Sequence, residues 1–337
     1  MPRSERILEF ANVILTFGPD RVMADLLDEV VMPAFTDDEL ERRYGDTTYF
    51  FHGVDVIDLG TRRRPEPIIV GTFVKDTIIR REQIYDRERK VIKRDPLKMK
   101  SAPSATFVIL LVNHKLLYLH ETSHAPPIDA FRATLEQFLR KKYFEFIEQE
   151  YEKRRNDAAD DQKSGITKKK LKTEFLSPEL SIIPLSSEQE LTDAVERYGV
   201  IEKIKIQLLR VNAEISDNQF FEQMREMLNE SGANTSSFIE QNKEGLNSDV
   251  VVQHLAGAAG GGNARVTVDG KTPDRERLTL TNEEMRLRVP MENVPPERRE
   301  KAILLVDTFN NLVREETLVV DRIDPDLAEA IRDKFRQ

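Results

Sequence analysis

The sequence predicts a mixed α+β protein of two domains, each a small mixed or antiparallel sheet packed by amphipathic helices. Three observations carry that expectation. Ile204, Ile206 and Leu208 alternate with Lys203, Lys205 and Gln207, the period-2 pattern of a half-buried strand whose sheet keeps one wet face. After Pro126 and Pro127, the residues Ile128, Phe131, Leu135, Phe138, Leu139, Phe146 and Ile147 fall on one helical stripe. Apolar residues then almost vanish from 153 to 172, so 153–176 reads as a charged linker between an N-terminal domain at 1–152 and a C-terminal domain at 177–337. A chain of 337 residues suits about two domains at roughly 150 residues each.

The elements follow in order. Ile7–Phe17 is rich in β-formers and predicts a strand, and Gly18, Pro19 and Asp20 turn the chain. Val22, Leu26, Leu27, Val30 and Val31 take helical spacing, with Pro33 as the expected stop. Strands are expected over 47–59 and 68–74, around a loop at Arg62–Pro65. Residues 107–112 and 116–119 predict a buried hairpin turning at Asn113, His114 and Lys115. The long helix at 127–152 is supported on its wet side by Glu136–Arg140 and Lys141–Glu145 pairs. In the second half, 180–185 predicts a strand, and Ser187 with Glu190 forms a capping box for a helix closed by Gly199. Asp217 starts a helix, 250–255 is helical, and Asp269–Gly270 predicts the turn of a hairpin between 265–268 and 278–280. Pro295 and Pro296 open a helix burying Ile303, Leu304, Phe309 and Leu312, and Asp324–Pro325 caps the last one. Both halves run strand, polar turn, amphipathic helix (7–17 into 20–31, and 201–211 into 217–228), which suggests a duplicated, ferredoxin-like βαβ plan.

Composition excludes several classes. A chain 39% hydrophobic and 33% charged has a folded core beneath heavily charged, solvated helices. Without cysteine it has no disulfide, no thiolate nucleophile and no Cys-ligated metal centre. The opening residues show neither a long apolar region nor a small-residue cleavage site, and no stretch approaches ~18 uncharged apolar residues. A cytoplasmic location without a membrane partner is therefore expected.

Catalytic motifs are incomplete. His120, Glu121 and His124 match the H-E-x-x-H string, but a zinc peptidase needs both histidines on one helical turn. Here a strand precedes the string and two prolines follow it. Residues 269–272 mimic the end of a phosphate-binding loop, yet Arg265 stands where the first glycine belongs. The glycine-rich run at 257–262 reads as a flexible loop, with Arg265 its natural anion partner if its amides meet phosphate. Asp55 and Asp58, three apart on a strand, point to opposite faces and do not act as a pair.

Basic clusters remain, against a net charge of −9. They are Arg62, Arg63 and Arg64; the segment 80–100; and Lys168–Lys172, led by Lys168, Lys169 and Lys170. The segment 80–100, expected as a solvated extension or loop, holds nine Lys or Arg against four acids; among its cations are Arg80, Arg81, Arg87, Arg89, Lys90, Lys93 and Arg94. Gathered in space, such cations neutralise phosphates while Tyr85 stacks on a base. The sequence therefore leads to a non-enzymatic protein that needs no cofactor and binds DNA or RNA, or a protein partner, through these segments. A place in bacterial phage defence or on a mobile element is an expectation with no residue behind it. The alternatives are a metal-dependent nuclease or hydrolase using carboxylates with His120 and His124, and a structural, self-associating subunit with the helix at 127–152 as interface.

Overall fold

The computed structural model describes residues 6–18, 21–158, 165–209, 214–215, 219–233, 235–259 and 261–336. The chain opens with β1 (Arg6–Thr16), then one continuous helical segment of a 3-10 turn (Met23–Leu26), a π turn (Leu27–Val31) and α1 (Met32–Thr36). An antiparallel series follows: β2 (Arg42–Tyr44), β3 (Thr47–Asp58), β4 (Pro67–Asp86), β5 (Val91–Ser101), β6 (Ser104–Leu110) and β7 (Lys115–His120). Next come α2 (Ile128–Asp157), α3 (Lys168–Glu174), β8 (Glu179–Pro184), α4 (Glu188–Glu196), β9 (Val200–Leu209), β10 (Glu214–Ile215), α5 (Gln219–Ser231) and β11 (Thr235–Gln241). The chain ends with α6 (Ser248–Ala259), β12 (Ala264–Lys271), β13 (Arg277–Thr281), β14 (Arg288–Met291), α7 (Arg298–Arg314), β15 (Arg322–Ile323) and α8 (Pro325–Lys334). The fold is mixed α+β with antiparallel sheets, and no helix among the described residues is long and apolar enough to cross a membrane.

The larger sheet has nine strands in the order β14-β1-β7-β6-β4-β3-β2, with β5 beside β4 and β8 beside β1. Both of its faces are covered. On one, Val13, Leu15, Phe73, Phe107 and Tyr118 meet Phe35 of α1 and the stripe of α2. On the other, Leu8, Phe10, Val70, Val108 and Leu117 meet Ala302, Leu305 and Phe309 of α7. A strand covered on both sides needs apolar residues at every position. That is why 107–112 shows no alternation in the sequence. The sheet's aromatic centre is Phe131 of α2, whose ring lies 5.1 to 5.7 Å from those of Phe51, Phe73, Phe107 and Tyr118.

The smaller sheet, β11-β9-β12-β13, buries Ile204, Ile206, Leu208, Val266 and Val268 against α4, α5 and α6. Its pairings are all antiparallel. The βαβ unit expected from β9 and α5 does not form, since β9 and β11 are antiparallel neighbours; β11 and β12, which flank α6, run parallel with β9 between them.

The two halves are also interlocked. β8 and β14, both beyond residue 176, pair with β1 and complete the sheet that the first half began. Nor is 153–176 a plain linker: α2 runs on to Asp157, and α3 anchors through Leu171, 2% exposed, while 159–164 lie outside the described residues. Pro33 does not stop the first helical segment. It sits in the first turn of α1, where its missing N–H costs little. The 80–100 segment is strand rather than loop. The stripe of α2, offered as an interface, is consumed by the core.

Phe131→Ala removes the ring around which four others pack, and is expected to cost about 3–5 kcal/mol. Urea unfolding followed by circular dichroism checks this; an unchanged midpoint contradicts the packing account.

Candidate functional site

The basic clusters foreseen in the sequence fall on separate surfaces. Arg62, Arg63 and Arg64 occupy the turn between β3 and β4, where Arg64 pairs with Glu66 at 3.3 Å. β4 is twenty residues long, so about 60 Å of strand separates that turn from Arg87, Arg89 and Lys90 at its far end. Lys168 pairs with Glu148 of α2 at 2.6 Å, and Lys169 and Lys170 share its short helix. Arg265 on β12 donates to Ser181 Oγ at 3.0 Å. The clusters thus sit on different elements, and the longest run of cations is the 80–100 segment.

That segment is a free-standing ribbon. β4 is held by β3 as far as Asp76 and by β6 as far as Val74; beyond Thr77 its only strand partner among the described residues is β5, from Thr77↔Ser101 out to Asp86↔Val91. It projects on the order of 30 Å past the sheet. Lys90, at the tip, takes a positive φ of 52°, which lets the turn close.

Directly opposed residues share a face, so the register sorts the ribbon into two. One face, in phase with core residues Ile69 and Phe73, carries Ile79 and Met99, then Leu97, then Gln83 and Arg94, then Tyr85 and Ile92. The other carries Ile78 and Lys100, Arg80 and Lys98, Ile84 and Lys93, Asp86 and Val91. The register shifts between Arg81 and Gln83, where Asp95 and Pro96 make a bulge opposite Glu82. Arg81's side chain lies outside the described residues. The first face is largely apolar and uncovered, with Gln83 and Arg94 in its middle: Tyr85 is 58% exposed, Ile92 67% and Met99 55%. The second is cationic. Arg80 is paired with Asp46 and Lys93 with Asp86, whereas Lys98 and Lys100 on this face, and Arg87, Arg89 and Lys90 at the tip, have no carboxylate partner among the described residues.

His120 and His124 do not converge on a metal. His120 ends β7 with Nε2 3.3 Å from Glu9 Oε2, and His124 lies in the following loop with Nδ1 2.8 Å from Ser123 Oγ. Among the described residues no three His, Asp or Glu side chains are grouped to hold an ion. Glu121 binds Lys301 of α7 instead. Asp55 pairs with Arg298, while Asp58 caps the backbone N–H groups of Gly60 and Glu66.

Two buried polar centres lie on β1, and neither was foreseen. Glu9, 3% exposed, sits between Arg286 (3.0 Å), Arg288 (3.0 Å) and His120. Burial raises its carboxyl pKa, but His120 and the two guanidinium groups together outweigh burial and hold it at about 2, against an ordinary 4.5. At the other centre Lys115, fully buried, donates to Asn12 Oδ1 at 2.9 Å and to the Gly261 carbonyl at 3.3 Å. Asn12 donates to Asn263 Oδ1, and Asn263 to Asp321 Oδ2, both at 2.6 Å. Gly262 has φ +71°, and a Cβ there would lie 2.7 Å from Asn12. So Gly261 and Gly262 are a packed contact; residue 260 is outside the described residues. The sequence did hold a signal for Lys115, a lone cation amid the apolar run 107–119.

No protein-family model matches this chain, and no curated protein matches it either.

Ionised Glu9 should contribute about 3 kcal/mol of stability at neutral pH. The carboxyl pKa is depressed, so the contribution is complete above the unfolded value and is lost as pH falls from about 4.5 towards 2. Glu9→Gln is expected to unfold at lower urea at pH 7 and to lack the wild type's steep loss of stability between about pH 5 and 3. If both proteins lose stability in parallel over that window, Glu9 is not its source.

Proposed function

We propose that this chain is a non-enzymatic protein that binds duplex DNA through the ribbon of β4 and β5. The observation that supports this most is the cationic face of Arg80, Lys93, Lys98 and Lys100 on a projection of only two strands. A two-stranded ribbon fits the major groove of B-form DNA, roughly 12 Å wide, whereas the major groove of A-form RNA is too narrow to admit it. Ile78, Ile84 and Val91 lie among the cations and support their stems. Arg87, Arg89 and Lys90 at the tip add long-range attraction for a polyanion. Contacts of this kind give affinity more than sequence choice.

Fluorescence anisotropy with a labelled duplex tests the reading. The wild type is expected to bind with a steep salt dependence. Replacing Arg80, Lys93, Lys98 and Lys100 together by Ala should weaken binding at least ~100-fold near physiological salt and lower the salt slope by about three to four. Replacing Arg62, Arg63 and Arg64 by Ala should change little. No binding by the wild type, or equal binding by the fourfold variant, rejects the proposal.

A further inference from the structure

The ribbon's other face points to a second partner. Ile79, Tyr85, Ile92, Leu97 and Met99 line one side of it, each 40–67% exposed, around Gln83 and Arg94 at its middle. An isolated two-stranded hairpin is at best marginally stable in water; a third strand or a packed face is needed to hold it. We infer that this face is covered by the same face of a second copy of the chain, the two ribbons packing antiparallel about a two-fold axis.

Area and charge both favour a second copy as the occupant. Each of the five side chains offers roughly 100 Å² at its exposure, so two ribbons bury on the order of 1,000 Å², the size at which a specific interface begins. A two-fold axis sets the stripe against itself, so the one surface supplies both halves of the contact. Charge selects the sense. Asp38, Glu39 and Glu41, all exposed, lead into β2, whose partner β3 lies against residues 75–76 of β4 at the ribbon's root. This acidic loop follows α1, which packs on the side of the sheet that the apolar face continues. Antiparallel ribbons bring the Arg87, Arg89 and Lys90 tip of one copy to the acidic root of the other. Parallel ribbons would crowd six cations together. Packed about 10 Å apart like the layers of a sandwich, the ribbons leave both cationic faces outward.

The inference uses the same ribbon as the DNA-binding proposal but the opposite face, and its test contains no DNA. Light scattering after gel filtration should give twice the 38.9 kDa chain mass for the wild type. Tyr85→Ser, Ile92→Ser and Met99→Ser together should give the single-chain mass with an unchanged circular dichroism spectrum. The fourfold Ala variant of the cationic face should remain a dimer. Since the chain has no cysteine, Leu97→Cys, next to the two-fold axis on the apolar face, supplies its only thiol and should form a disulfide-linked dimer under mild oxidation, whereas Lys98→Cys on the opposite face should not. A monomeric wild type, a triple variant that stays dimeric, or equal crosslinking from both faces overturns the inference. Loss of DNA binding with the masses as expected would leave it standing.

Discussion

The larger sheet depends on how β1 satisfies two polar side chains inside it. An unpaired carboxylate or amide at 3% exposure or less would cost several kcal/mol. Glu9 finds Arg286 and Arg288, and Asn12 finds Asn263, all more than 250 positions away in the sequence. The strand is therefore stable only when the second half of the chain is in place. β8 and β14 pair along the same edge of β1, so the backbone repeats what the side chains require. Burial of an ion pair adds little net stability, while removal of one partner costs much. Glu9 and Asn12 thus tie β1 to the second half of the chain, and loss of either partner leaves a buried polar group unpaired.

This interlock leaves one part of the chain outside any layer. β4 begins inside the sheet, with Ile69, Val70 and Phe73 buried on alternate faces, and leaves it without a break at Thr77. The ribbon is thus a continuation of a core strand and not a loop inserted between strands. Its root is fixed by ladder hydrogen bonds to β3 and β6 and by a Thr47–Thr77 hydroxyl contact at 2.8 Å. Such a projection keeps a definite direction relative to the sheet, as a surface that must meet a groove or a second ribbon requires.

Much of the fold was legible because local periodicity and burial agree. All seven positions read for the stripe of α2 are buried, since a helix lying on a sheet buries one face only; Thr134 and Tyr143 join them. The hairpin of β6 and β7 and the Ser187 cap followed for the same local reason. Where tertiary context decides, the sequence misled. Asp269–Gly270 looked like a turn, but β12 runs through both residues with a bulge, and the chain turns at 272–276. α7 buries Ala302, Leu305 and Phe309 while Ile303 is 41% exposed, because the helix is rotated by what the sheet presents. Lys142, not Lys141, pairs with Glu145, being drawn by Asp37 of the α1 loop. Glu9 and Asn12 stand out in sequence only as polar breaks in an apolar strand, because their partners are remote in sequence.

The ribbon illustrates a different limit. Its cations were counted correctly, and its apolar residues were seen, but as interruptions in a charged loop. Their alternation lies in plain view: Ile84, Tyr85, Val91 and Ile92 flank a four-residue turn, and Leu97 and Met99 are two apart. It was obscured by the bulge at Asp95 and Pro96, which moves one strand by a residue and puts the period out of phase across the pair. With that shift restored, the larger apolar side chains gather mostly on one face, with Arg94 among them, and the lysines with Arg80 on the other, with Ile78, Ile84 and Val91 among them. A composition that reads as solvated loop is, in three dimensions, a strand pair with two distinct surfaces. Cations alone would need no such segregation, because an evenly charged loop attracts a polyanion equally well. The segregation itself therefore argues for a second contact of apolar character on the face turned away from the charge.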